Sequence, residues 1–118
     1  MQDFKQLNVY KESYALSIEI CKEIKNNHHQ RIREQLMASA TSIPANLTEF
    51  AGMESVPQKK EKLRTCIREA NETEHWLQTF KDIGELSEEK FKDYSARLIS
   101  VRKMLINLLK AVESKATK

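Results

Sequence analysis

Apolar residues recur along most of this chain in steps of three and four, the spacing of one face of an α-helix. Leu7, Tyr10, Tyr14, Cys21 and Ile24 begin the pattern, with Ser17 filling its one gap. They predict a first helix from about Asp3 to Lys25. Val9, Leu16 and Ile20 make a second stripe beside the first, so its apolar face is wider than a surface helix needs. Asn26-Asn27-His28-His29 breaks the period and reads as a loop.

Ile32, Leu36, Ala40, Ile43, Leu47 and Phe50 predict a second helix from about Arg31 to Ala51. Pro44 falls inside it. A proline has no N–H for the residue-40 carbonyl and crowds that group, so either a kink near Ala40–Ile43 or two shorter helices is expected. The apolar register runs on across Pro44, which favours the kink. Gly52 to Ser55 connect to a third helix. Ser55 with Gln58 fits a capping box, and Pro57 is tolerated in a first turn whose N–H groups lack partners anyway. Leu63, Ile67, Ala70, Leu77 and Phe80 carry this helix to about Ile83, flanked by Cys66 and Trp76, with Gly84 placed to end it.

Ser87 is the expected cap of the fourth helix, with Glu88 and Glu89 where the helix dipole favours acids. Phe91, Tyr94, Leu98, Val101, Leu105, Leu108 and Val112 step three, four, three, four without a fault, a seam three heptads long. Ile99, Met104, Ile106 and Leu109 add apolar area outside it. Four helices with short connections predict an all-α fold, an antiparallel up-down-up-down four-helix bundle, as one domain over residues 1–118 with a frayed tail at 114–118. Helices 1 and 4 carry more apolar surface than one bundle uses, so a closed homo-oligomer is expected.

Composition agrees. Only 2 Gly and 2 Pro occur among 118 residues, too few for the many turns of a β-protein. No stretch approaches the roughly 20 apolar residues that span a bilayer, and the start Met-Gln-Asp-Phe-Lys-Gln lacks a signal-peptide core; no membrane association and a cytoplasmic location are expected. Cys21 and Cys66 match no metal spacing and read as reduced core residues.

Charge changes the picture by its distribution more than by its net +3. Five bases (Lys59, Lys60, Lys62, Arg64, Arg68) and one acid lie between residues 59 and 68, a net of +4. Residues 69–89 carry seven acids and one base, a net of −6, and residues 90–118 eight bases and two acids, a net of +6. Lys60, Arg64 and Arg68 share a helical face with Lys59 and Lys62 flanking. That ridge is either a phosphate-binding surface or a solvated face balanced by nearby acids. No exposed aromatic platform for stacking bases is evident, so any nucleic-acid binding should ignore base sequence.

A polar stripe lies beside the apolar one on helix 2: Gln35, Ser39, Ser42, Asn46 and Glu49 also step four, three, four, three. A solvated face is one reading. Its short central side chains allow a second, a seam buried between helices. In that case Ser42, Asn46 and Glu49 are largely buried, and Glu49 needs a partner such as Arg64 or Arg68 on helix 3.

The stretch Gln35-Leu36-Met37-Ala38-Ser39-Ala40-Thr41-Ser42-Ile43-Pro44-Ala45-Asn46-Leu47-Thr48-Glu49 resembles the helix-2 motif of the four-helix bundle proteins encoded in 23S ribosomal RNA intervening sequences. Phe4-Lys5-Gln6-Leu7-Asn8-Val9-Tyr10 is similar to that family's opening, and Glu72-Thr73-Glu74 with Leu77 to its helix-3 pattern. The chain departs from the pattern at Phe50, at Arg68-Glu69 and at Lys62, where the family has Gly, Gly-Ser and Phe. The resemblance implies a homopentamer. It extends to the accessory variability determinant of diversity-generating retroelements, which implies RNA or DNA and a reverse transcriptase as partners.

Catalytic and cofactor chemistry is not expected. Glu72-x-x-His75 has half of a di-iron spacing, but His28 and His29 are preceded at that spacing by Lys25 and Asn26, so the second half is missing. The serines have no His and acid constellation, and no Gly-rich phosphate loop occurs. Two functional classes remain: a non-enzymatic nucleic-acid-associated oligomer, and a protein-interaction scaffold.

Overall fold

The computed structural model describes residues 3–116. After a 3-10 turn at Phe4–Gln6 come four helices: α1 Asn8–Ile24, α2 Gln30–Gly52, α3 Val56–Asp82 and α4 Glu88–Ala116. No strand occurs among the described residues. Sequential helices pack side by side and α4 returns against α1; α2–α3 is the most extensive of these four helix–helix contacts and α1–α4 the least. The result is an up-down-up-down four-helix bundle about 50 Å long and 20 Å across.

The helix boundaries follow local chemistry. Asp3 Oδ1 accepts from the Lys5 amide at 3.0 Å and starts the 3-10 turn. Leu7 is then extended, so α1 begins at Asn8, later than the expected Asp3. Ser55 Oγ accepts from the Gln58 amide at 3.3 Å and Ser87 Oγ from the Lys90 amide at 3.1 Å, which makes both serines the caps expected of them. Gly84 has φ 80°, and the Glu85 and Gly84 amides donate to the Phe80 and Lys81 carbonyls at 2.9 and 3.0 Å, a full Schellman ending. α2 continues unbroken through Pro44. α4 runs to Ala116, so residues 114–116 extend the helix and are not a separate tail; the rest of that expected tail, 117–118, lies outside the described residues.

All four helices fill one core, with Ile20, Leu36, Leu47, Leu63, Leu77, Phe80, Leu98 and Leu105 fully buried. The α4 seam faces inward as its spacing predicts. On α1 the second stripe is the one buried along its length, while the first is buried only at Ser17 and Ile24. Val9, Leu16 and Ile20 are buried, whereas Tyr10 is half-buried and Tyr14 is 49% exposed. Tyrosine keeps a polar end, and placing the smaller aliphatic stripe inward leaves the aromatic one to form a surface ladder. Phe4 meets Tyr10 edge-on at 4.9 Å, and Tyr10 stacks on Tyr14 at 5.7 Å.

Candidate nucleic-acid interface and the polar seam

The outer side of α3 carries Lys60, Arg64 and Arg68 at successive four-residue steps. α4 runs antiparallel beside it, and polar contacts fix the register. Arg102 donates to Asn71 at 2.9 Å and to Glu74 at 3.1 Å, while Lys60 lies 3.8 Å from Glu113. Arg64 and Arg68 therefore stand opposite the part of α4 between Arg102 and Glu113, where Lys103 and Lys110 are exposed seven residues apart. Two exposed isoleucines, Ile99 and Ile106, lie on the same side of α4. The α3–α4 face thus brings together five cations from two helices.

The ridge is partly balanced. Lys62 pairs with Glu49 at 2.8 Å, on the α2 side of α3 and away from Arg64. Arg68 pairs with Glu61 at 3.3 Å and donates to Thr65 at 2.9 Å, with both charged side chains more than half exposed. Lys59 lies at the end of the bundle, where with Phe50, Val56 and Leu108 it lines an open hollow of about 120 Å³. Arg64, Lys103 and Lys110 have no acidic partner among the described residues. Exposed pairs of this kind contribute only about 0–1 kcal/mol each, so Lys60 and Arg68 can exchange a carboxylate for a phosphate at small cost. Sequence reasoning missed Lys103 and Lys110. The signal was present in the +6 block and their i, i+7 spacing, but the side of α4 they occupy depends on the register.

The helix-2 stripe divides by depth. Ser39 is 2% exposed and Thr73 on α3 is fully buried; Thr73 Oγ1 donates to Ser39 Oγ at 3.0 Å, and Ser39 donates in turn to the Leu36 carbonyl at 3.2 Å. This is the seam's one buried bridge between helices among the described residues. Ser42 and Asn46 are half-buried and bond each other within α2, Asn46 Nδ2 donating to Ser42 O at 2.8 Å and Ser42 Oγ at 2.9 Å. Gln35 and Glu49 are exposed. The expectation that Ser42, Asn46 and Glu49 are largely buried is therefore corrected. The partner of Glu49 is Lys62, not Arg64 or Arg68, because those two arginines point to the far side of α3. Glu72 and Glu74 are also exposed, Glu74 meeting Arg102, and His75 lies on the outer face of α3 beside Trp76.

Burial raises several titratable groups, most strongly the thiol in the core. Burial pushes the Cys66 thiol up to about 12, with Lys62 opposing, and Cys66 Sγ donates to the Ile43 carbonyl at 3.6 Å. Burial also raises Cys21. Neither thiol has the lowered value of an activated nucleophile. Glu69 is raised by burial and then by Glu72, against Arg68.

The sequence profile of the 23S rRNA-intervening sequence proteins matches residues 5–107, most of the chain. The chain belongs to that family. It is also similar to a crystal structure of a protein of unknown function from the S23 ribosomal protein family of Bacteroides thetaiotaomicron. The two are 26% identical with a TM-score of 0.79, over 86% of this chain and 95% of the other. Comparison with curated proteins gives no match. In this family member the Ser42-Ile43-Pro44-Ala45-Asn46 run has two faces. Ile43 and Pro44 are buried, while Pro44 and Ala45 join Tyr10, Tyr14 and Ile18 in an apolar groove of about 210 Å³ between α1 and α2.

Proposed function

We propose that this family member is a non-enzymatic, self-associating cytoplasmic protein that binds the phosphate backbone of RNA or DNA, without reading bases, through its α3–α4 face. The observation that carries this reading is the convergence of Arg64, Lys103 and Lys110, none paired with an acid, with Lys60 and Arg68 on one side of the bundle. Phosphate contacts of this kind supply affinity and salt dependence but no sequence information. No arrangement of side chains on this face presents a stacking platform for bases.

Self-association completes the reading. Tyr14 at 49% exposed and the apolar α1–α2 groove, on the side of the bundle away from the basic face, supply surface that a single bundle leaves unused. A ring of five copies, as the family resemblance implies, repeats the basic face five times and converts weak contacts into avidity. Light scattering of the tag-free protein at micromolar concentration should return the mass of about five chains. Fluorescence anisotropy with unrelated RNA and DNA oligonucleotides should then give similar affinities that fall steeply with salt.

A second reading, a scaffold for proteins, is favoured by the carboxylates already on Lys60, Lys62 and Arg68. It is distinguished by the same titration: a scaffold shows no salt-dependent binding to any nucleic acid.

A further inference from the structure

We propose that His28, His29 and Glu85 form a site for one divalent transition-metal ion of the zinc class, joining the α1–α2 and α3–α4 loops at one end of the bundle. The three side chains come from loops distant in sequence, which is why spacing along the chain gives no hint of them. His28 Nε2 and His29 Nε2 lie 3.5 and 3.0 Å from the same Glu85 Oε1, and one ligand atom from each residue lies within 4.8 Å of the others. Tetrahedral zinc, with bonds of about 2.0–2.2 Å, needs nitrogen and oxygen ligands about 3.3–3.5 Å apart. Two imidazoles and a carboxylate are the donor set that such ions take.

The backbone holds the three in place. Asn27 Oδ1 accepts from the His29 amide at 2.9 Å, and Arg33 Nη1 ties down the Asn27 carbonyl at 2.7 Å. On the other loop, the Schellman ending at Gly84 fixes Glu85 through its amide bond to Phe80 O at 2.9 Å. Glu85 and His29 are largely shielded, at 25% and 39% side-chain exposure, whereas His28 at 78% stands at the solvent edge. Three protein ligands leave a fourth tetrahedral position for water or an outside donor. No protein group among the described residues bonds the Nδ1 atoms, so the site lacks the outer partners that are worth about 10–100-fold in metal affinity.

The test uses the full chain, tag-free and stripped with a chelator, titrated with zinc chloride by calorimetry. One ion per chain is expected. Glu85→Gln and His29→Gln should each weaken binding by at least the about 10-fold that loss of an outer partner costs. Cys21→Ser and His75→Gln, which remove the thiol and imidazole donors outside the site that burial leaves accessible, should leave it unchanged. Circular dichroism verifies the fold of each variant. Wild-type protein gives an independent readout: cobalt should broaden the ring-proton resonances of His28 and His29 and spare His75. Absence of saturable binding, equal affinity in the Glu85→Gln and His29→Gln variants, or broadening centred on His75 overturns the proposal.

Discussion

Replacing Thr73 with valine removes one hydroxyl from the centre of the α2–α3 contact while keeping the side chain's volume and branching. Thr73 is fully buried and donates to Ser39 Oγ at 3.0 Å. The loss is bounded because each hydroxyl has a second partner on its own helix: the Leu36 carbonyl for Ser39 at 3.2 Å, and the Glu69 carbonyl for Thr73 at 2.8 Å. Thr73→Val therefore orphans no buried donor, and the about 1–3 kcal/mol penalty of an unsatisfied group does not apply. What remains is the net worth of one hydrogen bond, about 0.5–1.5 kcal/mol. With a urea slope of about 1–3 kcal/mol per molar, a loss of about 1 kcal/mol lowers the midpoint by about 0.3–1 M. Trp76, the only tryptophan, reports the transition by fluorescence. Protein concentration must be held constant, because the proposed self-association would add to apparent stability. A cycle of Thr73→Val, Ser39→Ala and the double variant should return a coupling of about 0.5–1 kcal/mol. Zero coupling, or a Thr73→Val loss above about 3 kcal/mol, refutes this reasoning.

Asn46→Leu should cost less than about 1 kcal/mol by the same denaturation assay, since Asn46 is half-buried and its amide bonds stay within α2. Gly84→Ala should cost about 1–2 kcal/mol, because φ 80° strains any residue with a Cβ while nothing crowds the position itself. Cys66, pushed up to about 12 by burial, should resist thiol reagents in the folded protein and react on unfolding, with Cys21 reacting first. The Cys66 thiol has its folded value raised above the unfolded one. Its contribution is therefore complete below about pH 9 and is lost as pH rises toward 12, which should appear as a falling urea midpoint in that window.

The elements were readable because local chemistry marks their ends. Ser55, Ser87 and Gly84 act within a few residues of themselves, and the α4 stripe has one unambiguous inward face. Legibility stops where two helices must be placed against each other. α1 offers two apolar stripes, and only packing decides that Val9, Leu16 and Ile20 go in and Tyr14 stays out. The depth of the α2 stripe depends likewise on where α3 crosses, which buries Ser39 and leaves Glu49 to Lys62. Lys103 and Lys110 join the basic face through the antiparallel register of α3 and α4, and His28, His29 and Glu85 meet through two loops. Pairings between distant segments set these sites, and a periodicity measured along one helix carries no information about them.

The most direct test of the phosphate-binding reading is the dependence of RNA affinity on salt, compared between wild type and the Arg64→Glu, Lys103→Glu, Lys110→Glu triple variant. Three lost phosphate contacts should reduce the slope of log K against log salt by about 2–3, with a similar weakening for every sequence tried. Identical slopes for the two proteins, or wild-type binding that salt does not change, would contradict it.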